Sequence, residues 1–254
     1  VDGLNPDAQR VDMLHASEAN DDTLDQISNK AQLRNLRKRL ENFAGVPSVT
    51  LPDNLQAELR PYQQDGFEFL CHLTKIKLGG ILADDMGLGK TLQTLAWLLW
   101  LKQNAGRRSK PALVICPASV LHNWRRESNR FTPDMKVLVL ESGAARHNLR
   151  KQIPENDIII TNYALLRRDL AALNKFEFGA LILDEAQFIK NPAAQVTQSV
   201  KQLKAKRRLA LTGTPLENRM LDLWSIADFV HPGYLGTQAD FTEKYEPRGE
   251  VAPW

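Results

Sequence analysis

Between Ile81 and Thr91 the chain reads Ile-Leu-Ala-Asp-Asp-Met-Gly-Leu-Gly-Lys-Thr, a run able to cradle a nucleoside triphosphate. Gly80–Ala83 predicts a short buried strand, and the residues from Leu92 to Trp100 predict a helix apolar on nearly every face. A strand, a loop and a helix N-terminus form an anion site, because unpaired backbone N–H groups and the helix dipole converge there. The backbone of Asp85, Met86, Gly87, Leu88 and Gly89 would line the phosphates, and the two glycines allow close approach. Lys90 can reach the β- and γ-phosphates, and the Thr91 hydroxyl can ligate Mg²⁺. The G-x-x-x-x-G-K-[ST] pattern is broken at its first position, where Asp84 replaces Gly.

Two further groups suit the same chemistry. Ala180-Leu-Ile-Leu-Asp-Glu-Ala-Gln187 is an apolar strand ending in paired acids. Asp184 there can hold Mg²⁺, directly or through water, and Glu185 can act as general base toward an attacking water. Leu209-Ala-Leu-Thr-Gly-Thr214 is another apolar strand, with hydroxyls at Thr212 and Thr214 that can sense a γ-phosphate. Alone, the acid pair is commonly a strand end meeting solvent and the Thr212–Thr214 segment is better read as an ordinary polar turn; combined with the phosphate loop they point to ATP and Mg²⁺.

Six apolar runs predict the strands that would position these groups: Gly80–Ala83, Ala112–Cys116, Lys136–Leu140, Asp157–Thr161, Ala180–Asp184 and Arg208–Thr212. They lack polar alternation, as strands buried on both faces do. Helical patterns separate most of them, over Gln93–Lys102, Ser119–Phe131, Ala144–Lys151, Leu165–Asn174 and Ala193–Gln202. This order predicts an α/β fold with a mainly parallel sheet covered by helices on both faces, its ligands at the C-terminal strand ends. An N-terminal extension, 1–50, combines a polar tail with an amphipathic helix over Asp22–Phe43 whose other face carries Arg34, Arg37, Lys38 and Arg39. The main domain is expected over 51–241, and 242–254 would begin a connection onward.

A net charge of +3 advertises no polyanion partner, so any nucleic-acid surface must be local. Cys71 and Cys116 are too few for a disulfide framework and lack metal-ligand spacing, which suits a reducing compartment. No secretory signal and no long apolar run suggests a membrane.

The motifs in combination resemble the first RecA-like lobe of the Swi/Snf-type ATPases, a branch of the superfamily-two helicases, from about Leu59 to Phe241. Leu59-Arg-Pro-Tyr-Gln63 with Gly66 resembles the family's adenine-side motif, implying that Gln63 reads the base edge. In Ala83–Thr91 the acidic pair before Met is usual for the family, so Asp84 ceases to be anomalous. Leu113 to Trp124 with Glu127, Ile159 to Tyr163, Leu211 to Asn218 and Phe229 to Gly236 resemble further family motifs. Gln187 stands where the best-known eukaryotic remodellers carry His; Gln also occurs among bacterial relatives, implying a bacterial source. The resemblance makes Gln187, Thr212 and Thr214 coupling residues. It also implies a second RecA-like lobe of the same parent protein, bearing arginine fingers, beyond Trp254.

The resemblance further implies that the loops after Cys116 and Thr161 touch phosphates of double-stranded DNA through Ser119, Asn123, Trp124, Thr161 and Asn162, although Trp124 is as readily a core residue. Basic clusters at Arg107–Lys110, Arg125–Arg126, Arg146–Lys151 and Lys204–Arg208 could add to that face or be solvated. The implied parent couples ATP hydrolysis to movement along duplex DNA, remodelling protein–DNA complexes with a protein cargo, in the bacterial cytoplasm or, if eukaryotic, the nucleus. The rivals are an ATP-gated protein-interaction module and a nucleic-acid-binding scaffold without catalysis; intact Lys90, Thr91, Asp184 and Glu185 oppose the second.

Overall fold

The computed structural model describes residues 45–106, 109–143, 146–214 and 220–245. The chain divides into two units, 1–46 and 47–254, and every element below belongs to the second. The helix expected over Asp22–Phe43 lies outside the described residues.

Among the described residues eight strands form: β1 (Gly80–Leu82), β2 (Ala112–Cys116), β3 (Val137–Val139), β4 (Ile158–Asn162), β5 (Glu177–Phe178), β6 (Ala180–Leu183), β7 (Lys204–Ala205) and β8 (Arg208–Leu211). The helices are α1 (Pro61–Lys75), α2 (Lys90–Ala105), α3 (Leu121–Phe131), α4 (Arg146–Lys151), α5 (Tyr163–Leu173), α6 (Gln195–Gln202), α7 (Met220–Val230) and α8 (Gln238–Tyr245). Six strands make one sheet in the order β1-β8-β6-β2-β4-β3, with every neighbouring pair parallel. β5 and β7, which the sequence pattern did not suggest, pair separately.

The apolar runs are continuous because each strand feeds two cores. Ala112, Val114, Ile158, Ile160, Ile182, Leu209 and Leu211 pack on one side with Phe67 and Leu70 of α1, Leu95 and Leu99 of α2, and Trp124 of α3. Leu113, Ile115, Ile159, Leu181, Leu183 and Ala210 pack on the other with Leu166 of α5, Val200 of α6 and Phe229 of α7. Side chains alternate along a strand, so a single five-residue run such as β2 serves both faces, each buried aliphatic contributing about 1.5–3 kcal/mol. The expected doubly covered parallel sheet is therefore present. Among the described residues no helix is long and apolar enough to cross a membrane.

The differences from expectation cluster at the C-terminal strand ends. β1, β6 and β8 stop before Ala83, Asp184 and Thr212, although the N–H groups of Asp184 and Thr212 still donate to the Ile115 and Leu82 carbonyls of the neighbouring strands. α2 begins at Lys90, not Gln93, and the expected helix from Ser119 splits into a 3₁₀ turn, Ala118–Val120, and α3. α5 starts at Tyr163 because the Asn162 side chain caps it, accepting from the Leu165 N–H at 2.9 Å. α1, α7 and α8 were not predicted at all.

Candidate active site

Three adjacent strands, β1, β8 and β6, deliver three loops to one edge of the sheet. After β1 the chain turns through Gly87 (φ +83°) and Gly89 (φ +79°) into α2. Gly89 is the N-cap of α2 in the left-handed region, with no side-chain cap and no acid in the first turn, so the helix presents its first N–H groups to an anion. A Cβ at Gly89 would lie 2.5 Å from Gln63 Nε2, whereas one at Gly87 would meet nothing. Glycine is thus needed at 89 for space as well as conformation, and at 87 for conformation.

The Lys90 ammonium donates to the carbonyls of Asp84 (2.6 Å) and Asp85 (3.0 Å), which keeps it over the loop. Asp84, at the broken glycine position, turns its carboxylate to accept from Gln93 Nε2 at 2.8 Å. Gln93 is a site residue that sequence reasoning missed: it is fully buried in a mostly apolar helix, and its amide donates to the Asp84 carboxylate of the loop. Its one signal was a lone amide among Leu, Thr and Ala. It also explains Gly66, where a Cβ would lie 1.8 Å from Gln93 Oε1.

Gln63, expected at a base edge, has both ends of its amide engaged within the chain. Its Oε1 accepts from the Arg60 N–H at 3.0 Å, and its Nε2 donates to the Leu88 carbonyl at 3.0 Å. The amide ties the start of α1 to the phosphate loop. Met86 is 70% exposed at the loop tip, and its Cγ would lie 3.2 Å from a Cβ at Gly213, so the loops after β1 and β8 touch. Thr91 is partly exposed on the first turn of α2.

After β6, Asp184 is oriented by two donors: Trp124 Nε1–H at 2.8 Å to Oδ2, and the Glu185 N–H at 3.0 Å to Oδ1. Burial, as the largest cause, pushes its carboxyl above the usual range; the Trp124 bond and the nearby Lys90 charge oppose this. Glu185 sits at φ 52°, ψ 59°, a strained conformation for a non-glycine that costs roughly 1–3 kcal/mol. Its Oε2 accepts from Gln187 Nε2 at 2.8 Å, Gln187 Oε1 accepts from the Thr212 hydroxyl at 3.2 Å, and Thr212 Oγ1 accepts from the Thr214 N–H at 3.1 Å. A continuous chain of hydrogen bonds therefore links the acid after β6 to the Thr212 hydroxyl and the Thr214 N–H after β8. The Thr214 hydroxyl oxygen is itself buried and finds no partner among the described residues. Such an atom is costly unless something accepts or donates to it.

The residues fit a polyphosphate: uncapped helix N–H groups, a cation over the loop and an orphaned hydroxyl. For a metal, no group of three or more His, Cys, Asp or Glu among the described residues could hold it alone. Thr91, Asp184 and Glu185 suit Mg²⁺ only when phosphate oxygens complete its sphere, the usual arrangement for that ion.

The residues assigned to DNA fare unequally. Ser119 is exposed in the 3₁₀ turn after β2, and Asn123 and Asn162 are partly exposed. Cys116 pairs in register with Asn162, so these groups share the sheet edge beyond Asp184. Asn123 bonds Glu127 and Arg126 along α3, and Asn162 caps α5. Trp124 and Thr161 are corrections: both are only 1% exposed, Trp124 within the first core and Thr161 donating to the Leu140 carbonyl at 3.4 Å. Neither can present its side chain to a phosphate. The basic clusters are also partly absorbed, since Arg208 donates to the carbonyls of Phe229, Lys201 and Leu203, and Arg150 pairs with Asp169. Arg107 and Arg108 lie outside the described residues.

The profile of the SNF2-related domain matches residues 62–250. The chain is 40% identical over 230 residues to the TATA-binding protein-associated factor MOT1 of Saccharomyces cerevisiae, covering 86% of this chain and 12% of that protein. It is 39% identical over 217 residues to YwqA of Bacillus subtilis, whose name describes an ATP-dependent helicase/translocase, covering 84% of this chain and 23% of that one. These near-equal identities favour neither a bacterial nor a eukaryotic source. Among solved structures, the Sulfolobus solfataricus SWI2/SNF2 ATPase core in complex with dsDNA superposes with a TM-score of 0.72 at 44% identity, covering 78% of this chain and 41% of that one. The chain thus spans well under two thirds of each relative.

Proposed function

The chain belongs to the SNF2-related domain family, and from that premise we propose that it is the ATP-binding lobe of a DNA-dependent ATPase and translocase. The parent protein would use ATP hydrolysis to move along double-stranded DNA and remodel what is bound there. The observation that carries this reading is the meeting of the loops after β1, β8 and β6, joined through Glu185, Gln187 and Thr212.

Lys90 and the N-terminal N–H groups of α2 compensate β- and γ-phosphate charge, and most of the acceleration comes from such fixed electrostatics. Thr91 and Asp184 would hold Mg²⁺, which supplies charge neutralisation at the transferring phosphoryl group. Glu185 takes the proton of the attacking water, with Gln187 fixing its carboxylate. Thr214, its hydroxyl unpartnered, senses the γ-phosphate and reports through Thr212. A second RecA-like lobe of the parent protein would supply an arginine to the other side of the phosphates. Ser119, Asn123 and Asn162 position the duplex through its phosphates without reading bases. The DNA-bound Sulfolobus relative supports duplex DNA as the partner, and the yeast relative's name supports a protein cargo. The parent would work where chromosomal DNA is, in bacterial cytoplasm or a nucleus.

Turnover in the full-length protein, measured alone and with duplex DNA, single-stranded DNA and RNA, tests the proposal. Stimulation by the duplex above the others is expected. Equal turnover in all four conditions would favour an ATP-gated interaction module instead.

A further inference from the structure

Asp184 is gripped by two side chains that come from neither the phosphate loop nor its own strand. Trp124 reaches it from α3, and Tyr163 from the first residue of α5. The indole N–H takes the carboxylate oxygen Oδ2, and the phenol O–H takes the backbone carbonyl, both at 2.8 Å. That carbonyl belongs to the peptide leading into Glu185, whose left-handed backbone needs something to hold it. The Tyr163 ring also stacks on Phe188, with centroids 4.8 Å apart and planes 4° apart, and Phe188 is half exposed just beyond Gln187. The acidic motif is therefore fixed at its carboxylate, its backbone and its far end by groups from the helices that follow β2 and β4.

α3 and α5 begin where the chain leaves β2 and β4, beside Ser119, Asn123 and Asn162. Asn123 precedes Trp124 in the chain, and Asn162, which caps α5, precedes Tyr163. A displacement of either helix start on a phosphate backbone moves a donor to Asp184 by the same step, with no intermediate side chain. We infer that Trp124 and Tyr163 are positioning residues, through which contact at the ends of β2 and β4 sets the carboxylate of Asp184 and the peptide of Glu185.

This inference rests on the proposed function, because its DNA arm presumes a duplex at that edge. The plain competitor is core filling: buried Trp and Tyr find a polar partner as a matter of course. Tyr163→Phe separates the two, since it keeps the ring and its stack on Phe188 and removes only the O–H.

The test measures ATP turnover of the full-length protein against Mg²⁺ and against duplex DNA, with DNA affinity and melting temperature measured separately. Tyr163→Phe should melt near the wild type and bind DNA equally well. Its half-saturating Mg²⁺ should rise about three- to tenfold, as expected for one lost hydrogen bond. The ratio of DNA-stimulated to basal turnover should fall about fivefold or more. Trp124→Phe should move both quantities the same way and further, because its bond is to the carboxylate; if it fails to fold, Tyr163→Phe decides alone. Mg²⁺ dependence and stimulation ratio both unchanged in Tyr163→Phe would overturn the inference and leave the proposed function standing. A wild type that hydrolyses ATP but ignores duplex DNA would overturn the proposed function, and the Mg²⁺ dependence would then decide the positioning roles alone.

Discussion

The two halves of the sheet edge are built differently. At the ends of β1, β8 and β6, polar side chains make bonds across loops: Gln63 to the Leu88 carbonyl, Gln93 to Asp84, Gln187 to Glu185 and Thr212 to Gln187. At the ends of β2 and β4, they bond their own helices: Asn123 to Glu127 and Asn162 to the Leu165 N–H. The first half spends its hydrogen bonds on fixing groups relative to one another, as phosphoryl transfer requires. The second leaves generic donors on helix starts, sufficient for a partner whose phosphates repeat. Substitutions in the first half should therefore cost orders of magnitude, and those in the second severalfold.

The largest effect is expected at Glu185. In the full-length protein Glu185→Gln should keep ATP affinity while turnover falls roughly 10²–10⁴-fold, the usual contribution of a positioned base. Wild-type turnover in that variant would remove the general base from this half. Next comes Lys90→Ala, which deletes the cation held over the loop by Asp84 and Asp85. Nucleotide titration of the folded variant should show affinity weakened by about a hundredfold, the loss of charge-assisted bonds to two phosphates. Unchanged affinity would move the phosphates elsewhere.

The same contrast explains what the sequence made legible. Lys90, Thr91, Asp184 and Glu185 stood out because each task admits few residue types, and runs such as Leu113–Ile115 stood out because both faces of the sheet are covered. Tyr163 and Gln93 did not, because their roles depend on partners brought close only by folding: the Tyr163 hydroxyl meets Asp184 across two strands of the sheet. α1 was obscured by its mixed surface, with Phe67, Leu70 and Cys71 buried among polar neighbours, and by a start read for its chemistry. Trp124 was ambiguous for a physical reason, since an indole can stack, pack or donate, and here it packs and donates.

On the DNA half, Ser119→Ala with Asn123→Ala should lower DNA-stimulated turnover severalfold and leave basal turnover within about twofold, the modest worth of a few neutral phosphate contacts. Binding should be indifferent to sequence and fall steeply with salt. A base preference that survives high salt would break the contrast by giving this half a specific geometry.

The smallest effect lies off the edge altogether. His231, just after α7, has its imidazole pKa lowered from 6.5 by burial, and its Nε2 has no partner among the described residues. A depressed imidazole pKa means the unfolded chain binds the proton first, so stability is full above about pH 6.5 and declines as pH falls through that value toward the folded one. Melting temperature should therefore drop slightly between pH 7.5 and 5.5, and less so in His231→Gln; an identical drop in that variant would assign the effect to other groups.

The central claim is that the ends of β1, β6 and β8 form one site for nucleotide and Mg²⁺ together. Titrating ATP into the full-length protein, with Mg²⁺ and with chelator, in wild type and Asp184→Asn, tests it most directly. The wild type should bind more tightly with Mg²⁺ than with chelator, and Asp184→Asn should lose most of that difference while keeping its affinity in chelator. An Asp184→Asn protein with the full wild-type response to Mg²⁺ would contradict the claim.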